Sequence, residues 1–233
     1  MPADHMVYLP LLTRLDVCAP IPGEMYGTLQ VAPGPSGDNA EAHPDLNLAV
    51  RGYVPSAHFL GLVEYGGQHD PDAPQLATLF SPRQLADFVR TGQVYDWDWD
   101  NHRRGPLLLS PEVTLAWLAA SPSETLHVPE SGYSIGSGYA VLVLYASHDR
   151  ITLKYTREDN VIEGYTLHVE NICVEPTLLD LYLACVDAGR DNTPALRSGQ
   201  AFGRATSNAV GIAIRDSGCF LDPRSRKDWW QDQ

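Results

Sequence analysis

The chain has 233 residues, of which 44% are apolar and 19% charged, which suits one main globular domain. Its 29 acidic and 16 basic residues give a formal net charge of −13. This charge repels phosphate backbones and anionic lipid, and therefore argues against nucleic-acid or membrane-surface binding. No apolar run approaches the roughly 18 residues that a transmembrane helix needs, so we predict no membrane insertion.

Residues 1–40 are predicted to form an N-terminal arm, because prolines and glycines flank a single short strand at 25–31. Residues 1–6 lack the charged and apolar regions of a signal peptide. Residues 7–12 resemble a short motif that follows Thr/Pro-rich stalks in secreted bacterial proteins. This resemblance predicts an extracellular or cell-surface location.

The cysteine count is compatible with disulfides. Cys18, Cys173, Cys185 and Cys219 allow two bridges in three pairings, and four buried thiols are the alternative. None has the Cys-x-x-Cys spacing of a zinc or redox site. We favour disulfides, with Cys18 tying the arm to the core, because closing so long a loop stabilises by about 4 kcal/mol.

Residues 41–233 are predicted to form a single β-rich domain with a helical and aromatic segment inserted at about 70–130. The alternating residues of 46–53 predict a strand paired with a second strand at 59–65. Within the insertion, two Ser-Pro pairs precede apolar residues at helical spacing. Because Ser at the N-cap and Pro at the first turn start helices, we predict helices at 82–91 and 111–120.

An aromatic and acidic tract lies between these two segments. If it is extended, one face carries Tyr95, Trp97 and Trp99 and the other carries Asp96 and Asp98. Aromatic rings stack on sugar rings and carboxylates accept hydroxyl hydrogens, so these five residues are our candidate ligand-binding site. Two alternatives stay open: the aromatic side chains enter the core, or the aspartates begin a calcium loop, although its usual glycine and glutamate are missing.

The C-terminal half has a strong strand pattern. Strands are predicted at 139–145, 150–156 and 164–174, followed by a helix at 177–188 that ends at Gly189. The predicted fold class is mainly β (α+β), with an antiparallel β-sheet or sandwich core and about three short helices.

The most ordered pattern lies in the last forty residues. A Gly-Gln turn at 199–203, an alternating strand at 210–214 and an Asp-Pro exit at 221–223 follow one another. This order resembles the closing segment of the lysostaphin-type (LytM-like) metallopeptidases. Gly211 and Ala213 stand where that family carries the two histidines of its His-x-His motif. The resemblance implies a degenerate domain of this family that lacks most of its zinc ligands.

The resemblance extends upstream to the family's His-x-x-x-Asp motif, which contributes two zinc ligands. His43 takes the first of these positions and Asn47 the second. The family's further histidine has no match at 155–157, where arginine replaces it, whereas His168 lies one residue out of register in a similar segment. His43, Asp45 and His168 are the candidate metal ligands if a metal is bound.

Three functions follow from these patterns. The first is an exported bacterial protein whose non-catalytic, lysostaphin-like β domain binds cell-wall or other polysaccharide, with no catalytic residue and no cofactor. The second is a zinc-dependent, endopeptidase-like hydrolase with a rearranged metal site. The third is a structural adhesion or assembly protein.

Overall fold

A computed structural model describes residues 18–37, 39–85 and 87–231. These residues are mainly β and include three short or medium α-helices, which confirms the predicted fold class. Residues 7–12, on which the predicted location rests, lie outside the described residues. The strands are β1 Gly27–Gln30, β2 Tyr53–Ser56, β3 Phe88–Asp98, β4 Arg103–Leu107, β5 Leu115–Ala119, β6 Thr125–His127, β7 Val141–Ala146, β8 Arg150–Lys154, β9 Tyr165–Glu170, β10 Ile172–Val174, β11 Asn192–Leu196, β12 Ala201–Ala205, β13 Ala209–Asp216 and β14 Cys219–Leu221.

The helices are α1 Leu48–Arg51, α2 Pro176–Asp187 and α3 Arg226–Trp229, with a 3-10 turn at Leu76–Leu79. Eleven strands form one antiparallel sheet in the order β1-β11-β7-β8-β9-β13-β5-β3-β2, in which β14 also pairs with β13 and β4 with β3. A smaller sheet has the order β10-β12-β6. No helix in the described ranges is long and apolar enough to cross a membrane.

The core lies around the centre of the large sheet. Every residue of β7 is buried, as its continuous apolar sequence predicts. Helix α2 covers this part of the sheet, and its Tyr182 hydroxyl donates to the Leu144 carbonyl of β7. The chain ends against the same core, because Trp229 and Trp230 are 1% and 0% exposed and their indole N–H groups donate to backbone carbonyls.

The two predicted helices in the insertion are wrong. Residues 111–120 instead contain β5, in which four consecutive residues are buried. A short apolar run buried on both faces looks the same in sequence whether it is strand or helix. Residues 82–91 lead into β3, where Phe88 is buried and Val89 is 46% exposed, so neighbouring apolar residues lie on opposite faces. The insertion therefore adds strands to the large sheet.

The predicted strand pair at 46–53 and 59–65 is also wrong. The Asn47 side chain accepts a hydrogen bond from the Ala49 N–H and caps α1, and this local bond favours a helical turn at Leu48–Arg51. Strand β2 begins after this turn and pairs with β3. In 59–65, Val63 makes an isolated bridge to Ser225, and Phe59 is 68% exposed.

Other predicted elements are confirmed. Strands β1, β7, β8 and β13 overlap their predicted ranges, and α2 is followed by Gly189 in the left-handed region at φ 93°. The single strand predicted at 164–174 is instead divided at Asn171, which has φ 65°, into β9 of the large sheet and β10 of the smaller one. A disulfide joins Cys18 to Cys173 and ties the N-terminal arm to the core, as predicted. Cys185 and Cys219 are free thiols, so the second bridge that the cysteine count allows does not form.

Candidate functional site

Three strands at the middle of the large sheet place polar residues on one face. Residues two apart on a strand share a face, and the register of β8, β9 and β13 sets them opposite one another in cross-strand rows. The rows are Arg150–Glu170–Gly211, Thr152–His168–Ala213 and Lys154–Thr166–Arg215. Trp117 of β5 extends the first row beyond Gly211.

Gly211 and Ala213 form a depression in this face, and neighbouring side chains fill it. A Cβ atom on Gly211 would lie 3.1 Å from Glu170 Cβ and 3.1 Å from Trp117 Nε1. Ala213 is fully buried in a small apolar cluster with Trp117 and Phe220. The space beside Gly211 and Ala213 is therefore occupied by packed side chains.

A buried ion cluster covers the edge of the depression. Asp45 Oδ1 accepts hydrogen bonds from Arg51 Nη2 at 2.6 Å and from Arg215 Nη1 at 2.7 Å. Burial opposes ionisation of Asp45, but the two guanidinium groups outweigh it and lower the pKa of this carboxyl. Both arginines also lie over the Phe220 ring, at 4.6 Å for Arg215 and 5.6 Å for Arg51. The Asp45 carboxylate therefore serves to bind these two arginine side chains.

His168 lies fully buried at the centre of the second row. The Thr152 hydroxyl donates to the Leu46 carbonyl at 2.6 Å, so its single hydrogen is used there. His168 Nδ1, at 3.0 Å from the same hydroxyl oxygen, must then be the N–H donor. Nε2 carries the lone pair and has no hydrogen-bond partner among the residues that the structure describes. Burial and the adjacent arginines lower the pKa of His168 to about 3, so the ring is neutral.

The three predicted metal ligands do not present a shared set of lone pairs. His43 Nδ1 accepts a hydrogen bond from the Asp45 N–H at 3.1 Å, which places the proton of a neutral His43 ring on Nε2. Asp45 is held by two arginines, and His168 is enclosed. Within the described ranges, no group of three or more His, Cys, Asp or Glu side chains is arranged to hold a metal. These residues do not fit a zinc ion of the kind that needs three or four converging ligands.

The first row contains a second buried acid. Glu170 is 3% exposed, and burial raises its pKa to about 7 although Arg150 lies 3.6 Å away. The Tyr53 hydroxyl donates to Glu170 Oε2 at 3.3 Å. Burial, together with this carboxylate, raises the pKa of Tyr53 to about 12, so the phenol keeps its proton and remains a donor.

The predicted ligand-binding tract forms the hairpin of β3 and β4. A register shift between Tyr95 and Trp97 interrupts the expected alternation, and β3 ends at Asp98, so Trp99 belongs to the turn. The three aromatic residues therefore do not form one continuous ladder. Trp99 is 48% exposed, and its ring lies 5.7 Å from that of His43.

The acidic residues of this hairpin are held in place by local hydrogen bonds. Asp98 accepts from the Asn101 side chain at 2.8 Å and from Arg103 Nε at 3.2 Å, and these contacts lower its pKa. Asp96 accepts from the Trp97 N–H at 2.8 Å. Both carboxylates line an open cleft of about 460 Å³ with Trp97, Arg103 and Arg104.

Sequence reasoning missed most residues of the buried face. Arg215 continues the alternation of Gly211 and Ala213, and Glu170 continues that of Thr166 and His168. The predicted strand at 164–174 already contains Glu170, and extending the strand at 210–214 by one residue would have found Arg215. Arg51 and Tyr53 gave no such signal, because Arg51 ends α1 and Tyr53 begins β2, so neither belongs to the three central strands.

Comparison with known proteins found no similar protein: no family model, curated protein or solved structure matches the chain.

Proposed function

We propose that this chain is an exported, non-catalytic β domain of lysostaphin-like type that binds cell-wall or other polysaccharide through the β3–β4 hairpin. The observation that carries the proposal is the pairing of aromatic rings with oriented carboxylates at an open cleft. Trp97, Asp96 and Asp98 line this cleft, and the exposed Trp99 follows in the turn of the same hairpin. The hairpin thus carries two indole rings for stacking and two carboxylates as acceptors.

The hairpin is prepared for binding before a ligand arrives. Hydrogen bonds from Asn101 and Arg103 fix the Asp98 carboxylate, and the Asp96 Oδ1 atom lies 3.5 Å from Arg51 Nη1 of the buried cluster. A ligand therefore meets side chains whose conformational entropy is already reduced, which lowers the cost of association.

The non-catalytic part of the proposal is supported by the filled depression on β13. Glu170 and Trp117 close the space at Gly211, and Asp45 is bound by two arginines. The lysostaphin-like part rests on the sequence pattern of the C-terminal segment. Export is supported by the disulfide between Cys18 and Cys173, because such bridges persist mainly in oxidising compartments.

Cosedimentation with purified bacterial cell walls, followed by titration with soluble glycan fragments, tests the hairpin. We expect Trp99→Ala and Trp97→Ala to weaken binding by about tenfold, which corresponds to about 1.4 kcal/mol. Phe59→Ala is the matched control, because this exposed aromatic lies on a different loop. Unchanged binding in both tryptophan variants would refute the assignment.

Elemental mass spectrometry of chelator-free protein tests the non-catalytic part separately. We expect no stoichiometric zinc, because His43, Asp45 and His168 do not converge. About one zinc per chain that disappears in His43→Ala would contradict the proposal and would call for peptide-bond cleavage assays.

A further inference from the structure

A second cleft lies at the other end of β3, roughly 20 Å along the strand from Trp97. Its volume is about 510 Å³, and the rings of Tyr53 and Trp117 form part of its wall. The two rings pack edge to face with centroids 5.7 Å apart. Asn171, Ser207 and Asn208 also line the cleft, and the Asn171 side chain donates to the Ser207 hydroxyl at 2.8 Å. The cleft therefore combines aromatic surface with neutral polar groups.

Arg90 is the one charged residue among the described residues that line this cleft. Its guanidinium carbon lies 3.8 Å from the centroid of the Trp117 ring, so the cation rests on the indole face. No carboxylate in the described part of the chain pairs with it at salt-bridge distance. Stacking of this kind fixes the guanidinium while its N–H groups remain at the edge of the plane.

The chain has 29 acidic and 16 basic residues, yet Arg90 has no carboxylate at salt-bridge distance in the described part of the chain. The arrangement on β3 explains how this occurs. Arg90 of β3 pairs across the sheet with Trp117 of β5, and Trp117 pairs with Gly211 of β13. The nearest acid in this row is Glu170 of β9, which pairs with Gly211 and so lies three strands from Arg90. The Glu170 carboxylate lies 3.6 Å from Arg150 Nε and accepts a hydrogen bond from the Tyr53 hydroxyl. The sheet register thus keeps the Arg90 guanidinium apart from the buried carboxylate.

We propose that this cleft is a second ligand site, which binds a carboxylate group through Arg90 while the adjoining part of the ligand packs on Trp117 and Tyr53. A guanidinium donates two parallel hydrogen bonds to a carboxylate, and one cation matches a singly charged group. The net charge of −13 disfavours a multiply charged anion more strongly than a monoanion. The carboxylate can come from a peptide C-terminus or from an acidic sugar.

Two pairs of probes distinguish these sources. The first pair is N-acetyl-alanyl-alanine and its C-terminal amide, and the second is a glucuronic-acid disaccharide and its methyl ester. Each is titrated into the full chain while two-dimensional NMR follows the backbone amides of Val89, Arg90 and Asn171. We expect at least one acid to shift these signals saturably and to bind about tenfold more tightly than its neutral counterpart.

Three variants test the role of Arg90. Arg90→Gln should weaken binding of the acid by about tenfold, and Arg90→Lys should restore only part of it, because a point charge lacks the planar pair of donors. Arg197→Gln, which removes an exposed arginine that lies over the Tyr139 ring outside this cleft, should bind the acid as the unaltered chain does. Arg90 is exposed, so these variants should keep the wild-type melting temperature.

The proposal fails if acids and neutral counterparts bind equally, if Arg90→Gln binds the acid undiminished, or if neither acid shifts the signals at about 50 mM. These outcomes are independent of the hairpin, because loss of polysaccharide binding in Trp99→Ala leaves the acid titration unaffected. Failure of the proposed function and failure of this inference are therefore distinguishable.

Discussion

Replacing His168 with asparagine tests whether the buried imidazole is neutral in the folded protein. Asparagine keeps an N–H donor near the position of Nδ1, and so retains the bond to the Thr152 hydroxyl. It removes the only titrating group at that position. The comparison of the two proteins across pH then isolates the proton that His168 binds when the chain unfolds.

The sign follows from the lowered pKa. Burial holds the pKa of folded His168 at about 3, against 6.5 for an unperturbed histidine. Between these values the unfolded chain binds one more proton than the folded chain, so the free energy of unfolding decreases as pH falls below 6.5. From about pH 7.5 to about pH 5, the loss through this group is about 2 kcal/mol, because 1.5 pKa units lie below the unfolded value and each is worth about 1.36 kcal/mol.

Urea denaturation of the unaltered chain and of His168→Asn at several pH values measures this loss. Other groups, including Glu170, are present in both proteins and cancel in the difference. We expect the unaltered chain to lose about 2 kcal/mol more than the variant over this interval. A difference that does not change with pH would refute the reasoning and would mean that folded His168 accepts a proton at an ordinary pKa.

Three further predictions concern the same core. Cys18→Ser should lower the free energy of unfolding by about 4 kcal/mol in urea denaturation, because the bridge closes a loop of 155 residues, and the exposed thiol variant Cys219→Ser should have little effect. Asp45→Asn should lower the free energy of unfolding by about 3 kcal/mol or more, because two buried guanidinium groups lose their shared carboxylate. Adding Arg215→Met should recover part of this stability. A loss below about 1 kcal/mol in urea denaturation would contradict the ion cluster. Burial raises the pKa of Glu170 from 4.5 to about 7. Between these two pH values folded Glu170 retains a proton that the unfolded chain has lost, so the free energy of unfolding falls as pH rises through this range. Glu170→Gln should therefore gain melting temperature relative to the unaltered chain from about pH 5 to about pH 8, and a constant difference would argue against the raised pKa.

Sequence alone determined the elements that local pattern controls. The alternation of 210–214 follows from the two-residue repeat of a strand, and Pro176 and Gly189 mark the ends of α2 by their backbone preferences. The continuous apolar residues of β7 predicted burial on both faces. These features need only neighbouring residues, so the chain in order is enough to find them.

Tertiary structure decided where the ambiguous apolar runs went. Residues 115–118 of β5 are all buried, and only pairing with β13 and β3 makes them a strand. The Ser-Pro pairs before both wrongly predicted helices are local signals, and pairing across the sheet outweighed them. Propensity is worth a few tenths of a kcal/mol per residue, whereas burial of one large side chain is worth about 2 kcal/mol.

Tertiary structure also decided the chemistry of the candidate sites. The sequence supplied His43, Asp45 and His168 as metal-ligand types, but the partners that commit Asp45 come from positions 51 and 215. Likewise, Arg90 and Trp117 are 27 positions apart and meet only through strand register. Side-chain identity fixes what a group can donate or accept, and the long-range register of strands determines which groups meet, because hydrogen bonding and ion pairing depend on separations of a few ångströms.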